Sequence, residues 1–219
     1  MPVESQQRKR ERTAQIIQGL QKTYPDAHCE LHFESPLQLL IATILSAQTT
    51  DKQVNVVTAD LFKKYRTAAD FSAAELPELE RDLQRIGLFR NKAKSVKNCC
   101  AALVEKHGGE IPKRMEDLVE LGGVGRKTAN VVLGNAFNIN EGVVVDTHVA
   151  RLSNRLALTR ETHPEKIEEA LQLLVPREQW TMFSHWLIWH GRRRCLARKS
   201  DCPGCEINVL CPSAFKIEV

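Results

Sequence analysis

Apolar residues recur along most of this 219-residue chain at the three- and four-residue spacing of helices that bury one face. The clearest run is 126–137, where Ala129, Val132, Leu133, Ala136 and Phe137 fall at i, i+3, i+4, i+7 and i+8. Residues 91–107 place Ala93, Val96, Cys100 and Leu103 on one stripe, and Gly108-Gly109 ends the pattern. Residues 51–65 carry Val54, Val57, Leu61 and Phe62 at the same spacing, and 76–86 read as a short helix stopped by Gly87. Residues 36–47 are apolar on most faces, and Ser35-Pro36 supplies an N-cap with proline at the first helical position, which predicts a buried helix. Shorter helical patterns cover 115–121, 148–158, 164–174 (closed by Pro176) and 182–191. The single strand-like run, Val143-Val144-Val145, is too short to define a sheet. With no internal repeat and no low-complexity segment, the pattern predicts an all-α protein.

Composition bounds this picture without changing it. Hydrophobic residues make up 42% and charged residues 26%, ordinary for a globular chain of one large or two small domains. The longest apolar run, 37–47, is far shorter than the roughly 20 residues of a membrane-spanning helix. Residues 1–13 are polar and of mixed charge, without the apolar core of a secretion signal, so the expectation is a soluble intracellular protein. A net charge of +4 is compatible with a polyanionic partner and equally with a solvated charged surface.

Seven cysteines divide into two sets. Cys29, Cys99 and Cys100 lie apart and suit core or partly buried thiols. Cys195, Cys202, Cys205 and Cys211 fall within 17 residues as Cys-x6-Cys-x2-Cys-x5-Cys, which reads as a metal site rather than a disulfide framework in an intracellular chain. Four thiolates can ligate zinc or a four-iron four-sulfur cluster. Zinc sites usually pair two Cys-x2-Cys knuckles; this chain has one, which tilts the choice towards the cluster.

The segment Leu121-Gly122-Gly123-Val124-Gly125-Arg126-Lys127-Thr128-Ala129 is a glycine turn that opens a helix. Its glycines can take positive φ and let a phosphate approach the backbone, and the helix dipole behind them favours an anion. Such a contact positions nucleic acid without reading its sequence. Lys127 sits at the cation-disfavouring end of its helix beside Arg126, an arrangement expected to lower its pKa and leave a nucleophilic amine. The same spacing also suits a solvated lysine or a plain phosphate contact. Asp146 follows 19 residues after Lys127 and precedes a helix, where it can act as an N-cap, accept a proton from the lysine or stabilise charge on a sugar.

These residues resemble the helix-hairpin-helix DNA glycosylase superfamily, and Gly125-Arg126-Lys127-Thr128-Ala129-Asn130-Val131-Val132 resembles its endonuclease III family most closely. The similarity runs from about Leu37 to Cys211. It includes Leu45-Ser46-Ala47-Gln48-Thr49-Thr50-Asp51, Ile86-Gly87-Leu88 with Asn91-Lys92-Ala93, Val145-Asp146-Thr147-His148-Val149, and His190-Gly191-Arg192 with Cys202-Pro203-Gly204-Cys205 and Cys211-Pro212. One departure stands out: the family usually has proline where this chain has Gly122, which should loosen the turn.

The resemblance implies a base-excision repair enzyme that removes oxidised pyrimidines such as thymine glycol from double-stranded DNA. It would then cut the abasic site by β-elimination, with Lys127 as Schiff-base nucleophile and Asp146 as the essential carboxylate. Gly123 and Gly125 would contact phosphate. Gln48 and Leu88 match the family's intercalating side chains, needed because a base must leave the stack before chemistry; unaided, the two read as a capping amide and a packed leucine. His148 would support Asp146 or touch phosphate, or be a structural histidine. Cys195, Cys202, Cys205 and Cys211 would hold one 4Fe-4S cluster that ties down a loop presenting Arg192, Arg193, Arg194, Arg198 and Lys199 to DNA. The implied fold has two helical lobes with a DNA cleft between them: a six-helix lobe of residues 29–139 with the hairpin, and a discontinuous cluster lobe of 1–28 and 140–219 with the cluster loop at 195–211. The N-terminal helix would pack with the cluster segment. The implied setting is a monomer in the bacterial cytoplasm, associated with the nucleoid. Two other readings are a monofunctional mismatch glycosylase, against which Lys127 and the chain's end at Val219 both argue, and a non-catalytic DNA-binding module with structural zinc.

Overall fold

A computed structural model describes residues 4–216, so the first and last three residues of the expected cluster lobe lie outside the described residues. The described residues contain no strand. In chain order the helices are α1 (Gln6–Thr23), α2 (Pro36–Leu45), α3 (Asp51–Lys64), α4 (Ala68–Ala73), α5 (Leu76–Asp82), α6 (Phe89–His107), α7 (Met115–Val119), α8 (Arg126–Phe137), α9 (Thr147–Arg155), α10 (Pro164–Gln172) and α11 (Trp180–Arg193). None is long and apolar enough to cross a membrane.

The chain divides into two compact units, Cys29–Ile139 and Met1–His28 with Asn140–Val219. The first carries α2–α8. Its centre is α2, in which Leu39, Leu40, Ile41, Ala42, Ile44 and Leu45 are all buried. Helices α3, α6 and α8 pack around it. Each leucine or isoleucine buried there contributes about 1.5–3 kcal/mol of transfer free energy. Ser35 caps α2 by accepting the Gln38 N–H (3.2 Å), the role its place before Pro36 predicts. Helix α4 has no counterpart in the hydrophobic pattern. Its six residues are too few to show a period, and a capping box holds it: Thr67 Oγ1 accepts the Asp70 N–H, and Asp70 accepts the Thr67 N–H.

The second unit builds its core from α1, α9, α10 and α11. Ile16, Ile17 and Leu20 meet Val149, Leu152, Ile167, Leu171, Phe183 and Leu187. The cysteine loop joins this core through Ile207. A Cβ on Gly19 would lie 2.6 Å from the Ile207 side chain, so α1 carries its glycine where the loop crosses it. Arg12 clamps the same face, donating to the carbonyls of Leu156 (2.7 Å) and Leu210 (3.1 Å) while pairing with Glu4. Val143, Val144 and Val145 are buried in irregular backbone that leads into α9. Their apolar continuity reflects burial beside α11, where Ser184 Oγ accepts the Val144 N–H at 2.9 Å.

Candidate functional site

The glycine turn has a defined geometry. The Val124 N–H donates to the Leu121 carbonyl at 3.0 Å, and Gly123 has φ +81°. These are the marks of a type II turn with Gly122 at its second position and Gly123 at its third. Of the three glycines expected to use positive φ, only Gly123 does. It is doubly constrained, because a Cβ there would also meet Ser95 Cβ at 2.9 Å. Gly122 is under neither constraint: a Cβ would sit in ordinary contact, 3.5 Å from Asn98 Cβ. Gly125 is the N-cap of α8 with φ −96°, and nothing lies within 4 Å of where its Cβ would be. Helix α8 starts without a side-chain cap, and the open space at Gly125 leaves room for an anion to approach its first turn. Lys127 is exposed on the first turn of that helix.

In the other unit, Asp146 is half-buried and caps α9, its Oδ1 accepting the Val149 N–H at 2.8 Å. The cap occupies one carboxylate oxygen and leaves the second unneeded for it. His148, two residues on, packs where α9 meets α11. A Cβ on Gly191 would lie 2.8 Å from its Nδ1, and the Arg151 guanidinium stands 3.3 Å from the same nitrogen. Burial lowers the His148 pKa from its ordinary 6.5; Asp146 opposes the shift, and Arg151 and Arg192 reinforce it.

Gln48 and Leu88 occupy two neighbouring turns of the first unit. Both are exposed, Leu88 at 57%, and both hold left-handed backbone, φ 54° and 58°. Such φ values cost a non-glycine residue about 1–2 kcal/mol, so the surrounding packing must hold these turns in place. Two bonds join the turns: Lys92 Nζ donates to Thr49 Oγ1 (2.8 Å) and Gln53 Nε2 donates to the Arg85 carbonyl (3.3 Å). The sequence pattern does not single out Lys92, although it falls four residues before Val96 in the buried stripe of α6, a lysine where an apolar residue belongs.

The four clustered cysteines line one small cavity, of about 20 Å3, together with Arg155 and His190. No group of three or more His, Cys, Asp or Glu among the described residues is gathered closely enough for a single metal ion. Tetrahedral zinc, with Zn–S near 2.3 Å, would need sulfurs within about 4 Å of one another. Four thiols lining one space are a donor set that a four-iron four-sulfur cluster can take. Two arginines from α9 hold the loop. Arg151 donates to the carbonyls of Gly191 (3.0 Å) and Cys195 (2.9 Å). Arg155 donates to those of Leu196 (2.7 Å) and Ala197 (2.8 Å) and reaches Cys195 Sγ at 3.2 Å. His190 Nε2 stands 3.4 Å from Cys205 Sγ, and its Nδ1 meets the Tyr24 hydroxyl at 3.0 Å. Neither arginine announces itself in the sequence, because each acts on carbonyls about 40 residues away.

Among the five cations expected to face DNA, Arg194 has another task. It pairs with Asp201 and with Glu206 (3.0 Å) and braces the loop from inside. Arg193 lies over the Trp189 ring at 3.7 Å, while Arg192, Arg198 and Lys199 are exposed.

Residues 41–177 match the HhH-GPD superfamily of base excision DNA repair proteins. Endonuclease III of Synechocystis sp. is 50% identical over 206 residues, 94% of each chain. The chain belongs to the endonuclease III family of the HhH-GPD superfamily. Two solved endonuclease III–DNA structures, a non-covalent complex and a trapped covalent intermediate, each superpose with a TM-score of 0.90 at 44% identity, covering 94% of this chain and 97% of theirs. An all-α endonuclease III fold therefore carries the hairpin, the capping aspartate and the cysteine cavity described above.

Proposed function

We propose that this chain is a bifunctional base-excision repair enzyme, a DNA glycosylase and abasic-site lyase, and that it removes oxidised pyrimidines from double-stranded DNA. The observation that carries this reading is Lys127, an exposed amine on the first turn of an uncapped helix behind the Gly123 turn. Phosphate docks on the open backbone at Gly123 and Gly125, which fixes the strand beside that amine. Gln48 and Leu88 enter the stack as the damaged nucleotide leaves it.

Lys127 Nζ attacks C1′ of the extruded nucleotide. The new C–N bond forms as the glycosidic bond breaks and the base departs with its electron pair. Asp146, fixed by its cap bond to Val149, accepts the proton released from the amine or stabilises positive charge developing on the sugar. Ring opening yields a Schiff base between Lys127 and C1′. Loss of a C2′ proton then expels the 3′ phosphate oxygen and nicks the strand, and hydrolysis frees the lysine. Cys195, Cys202, Cys205 and Cys211 hold one 4Fe-4S cluster, which, when bound, ties the loop together and takes no part in base removal. Arg192, Arg198 and Lys199 then face DNA. The enzyme acts as a monomer on chromosomal DNA in the bacterial cytoplasm.

The test mixes the protein with a thymine glycol duplex and borohydride. A covalent protein–DNA adduct, absent in Lys127→Ala, is the expected result. Base release without an adduct would make the protein a monofunctional glycosylase, and binding alone would make it a DNA-binding module.

A further inference from the structure

A lysine ammonium is rarely buried without a carboxylate beside it, because its desolvation is expensive. Lys92 is 5% exposed, and burial lowers its pKa. Its ammonium donates to the Thr49 hydroxyl at 2.8 Å. That bond joins the start of α6 to the turn that follows α2. The two segments also lie close together: a Cβ on Gly87 would come within 3.8 Å of Thr49 Oγ1 and 3.9 Å of the Gln48 carbonyl. Thr49 follows Gln48, and Lys92 donates its backbone N–H to the Leu88 carbonyl at 3.1 Å. The pair therefore adjoins both residues with left-handed backbone, one from each side. In this turn-to-turn contact the ammonium acts against fold stability, yet it ties together two strained turns that carry exposed side chains.

We propose that Lys92 is a positioning residue: through its bond to Thr49 it holds the Gln48 and Leu88 turns in one register, so that both side chains enter the DNA stack together. This rests on the assignment of Gln48 and Leu88 as intercalating residues. The bond contributes to extrusion of the damaged base rather than to the chemistry at C1′. A charge-assisted hydrogen bond lost from a preorganised contact corresponds to a roughly ten- to hundredfold effect.

The experiment follows base extrusion by stopped-flow fluorescence, in a duplex carrying 2-aminopurine next to thymine glycol. Lys92→Met, Thr49→Val, the double variant and Thr49→Ser are compared with Gln48→Ala and Leu88→Ala. The expected result is slower extrusion, by about tenfold or more, in Lys92→Met and Thr49→Val. The double variant matches the singles, and Thr49→Ser, which keeps the hydroxyl, restores the wild-type rate. The thermal midpoint of Lys92→Met should be no lower than wild type, since methionine removes a buried charge, and strand cleavage at a preformed abasic site, which has no stacked base to extrude, should slow less than cleavage at thymine glycol. A purely structural lysine would instead lower the midpoint and impair both substrates alike. Normal extrusion in Lys92→Met and Thr49→Val, while Gln48→Ala and Leu88→Ala are slow, overturns the proposal and leaves the wedge assignment standing. Normal extrusion in Gln48→Ala and Leu88→Ala overturns the wedge assignment and this proposal with it. Should Lys92→Met fail to fold, Thr49→Val decides alone.

Discussion

Gly122→Pro and Gly123→Ala sit side by side in the hairpin and should move stability in opposite directions. The turn from Leu121 to Val124 closes with a 3.0 Å hydrogen bond, and Gly123 supplies the φ of +81° that a type II turn needs at its third residue. Gly122 is the second residue of that turn, where proline is favoured. Its φ is not positive, and the space for a side chain is open to 3.5 Å. Proline there should therefore stabilise the protein by restricting the unfolded chain, by about 0.4–1 kcal/mol. For a chain of this size that raises the melting midpoint by roughly 1–4 °C. Gly123→Ala faces about 1–2 kcal/mol of left-handed strain and a Cβ 2.9 Å from Ser95. The strain alone lowers the midpoint by roughly 2–8 °C. Differential scanning calorimetry measures both. Filter binding to undamaged duplex measures the consequence, with Gly122→Pro binding at least as tightly as wild type and Gly123→Ala more weakly. A lower midpoint for Gly122→Pro, or an unchanged one for Gly123→Ala, would refute the turn assignment. The glycine at 122 is thus a looser choice at a position built for proline, and the turn forms without it.

Three further outcomes follow from the second unit. Asp146→Asn keeps an N-cap oxygen, so its melting midpoint should stay within about 2 °C of wild type, while base release in a single-turnover assay falls by about 10²-fold or more; equal losses in both would reduce Asp146 to a cap. His148 has its pKa pulled below 6.5 by burial, so the unfolded chain binds its proton first and stability falls as pH drops through 6.5 towards the folded value. In His148→Gln the melting midpoint should therefore decline less than wild type over that window, and parallel curves would count against the assignment. Arg155→Met removes the donor to the Leu196 and Ala197 carbonyls and to Cys195 Sγ. Iron loss to a chelator, followed by visible absorbance, should quicken by about tenfold, with an unchanged rate arguing that the loop holds its shape without α9.

Periodicity is enough to find most of the helices, because each buries one stripe of side chains long enough to show its period. Helix α8 matches its expected bounds, and α2, α3, α5, α6, α7, α9, α10 and α11 differ by a few residues at their ends, where capping geometry rather than hydrophobic pattern decides, while α1 (Gln6–Thr23) is implied only by the resemblance, without bounds. Helix α4 has too few residues to show a pattern. At the hairpin, glycine content marks the turn, but only the φ values separate Gly123, which must be glycine, from Gly122 and Gly125, which need not be. Spacing gathers the four cysteines into one motif, whereas the arginines that hold their loop become visible only with the fold, since Arg151 and Arg155 reach across about 40 residues of chain to backbone carbonyls that carry no side-chain signature. Lys92 is hidden for a related reason. Its partner Thr49 lies 43 residues away, and nothing in either residue alone suggests that they meet.

The most direct measurement locates the covalent bond. Wild-type protein reacted with a thymine glycol duplex is reduced with borohydride, digested with nuclease and protease, and mapped by tandem mass spectrometry. Nucleophilic attack by Lys127 predicts a reduced sugar remnant on its Nζ and on no other amine. A remnant on the N-terminal amine or on a different lysine, with Lys127 unmodified, would contradict it.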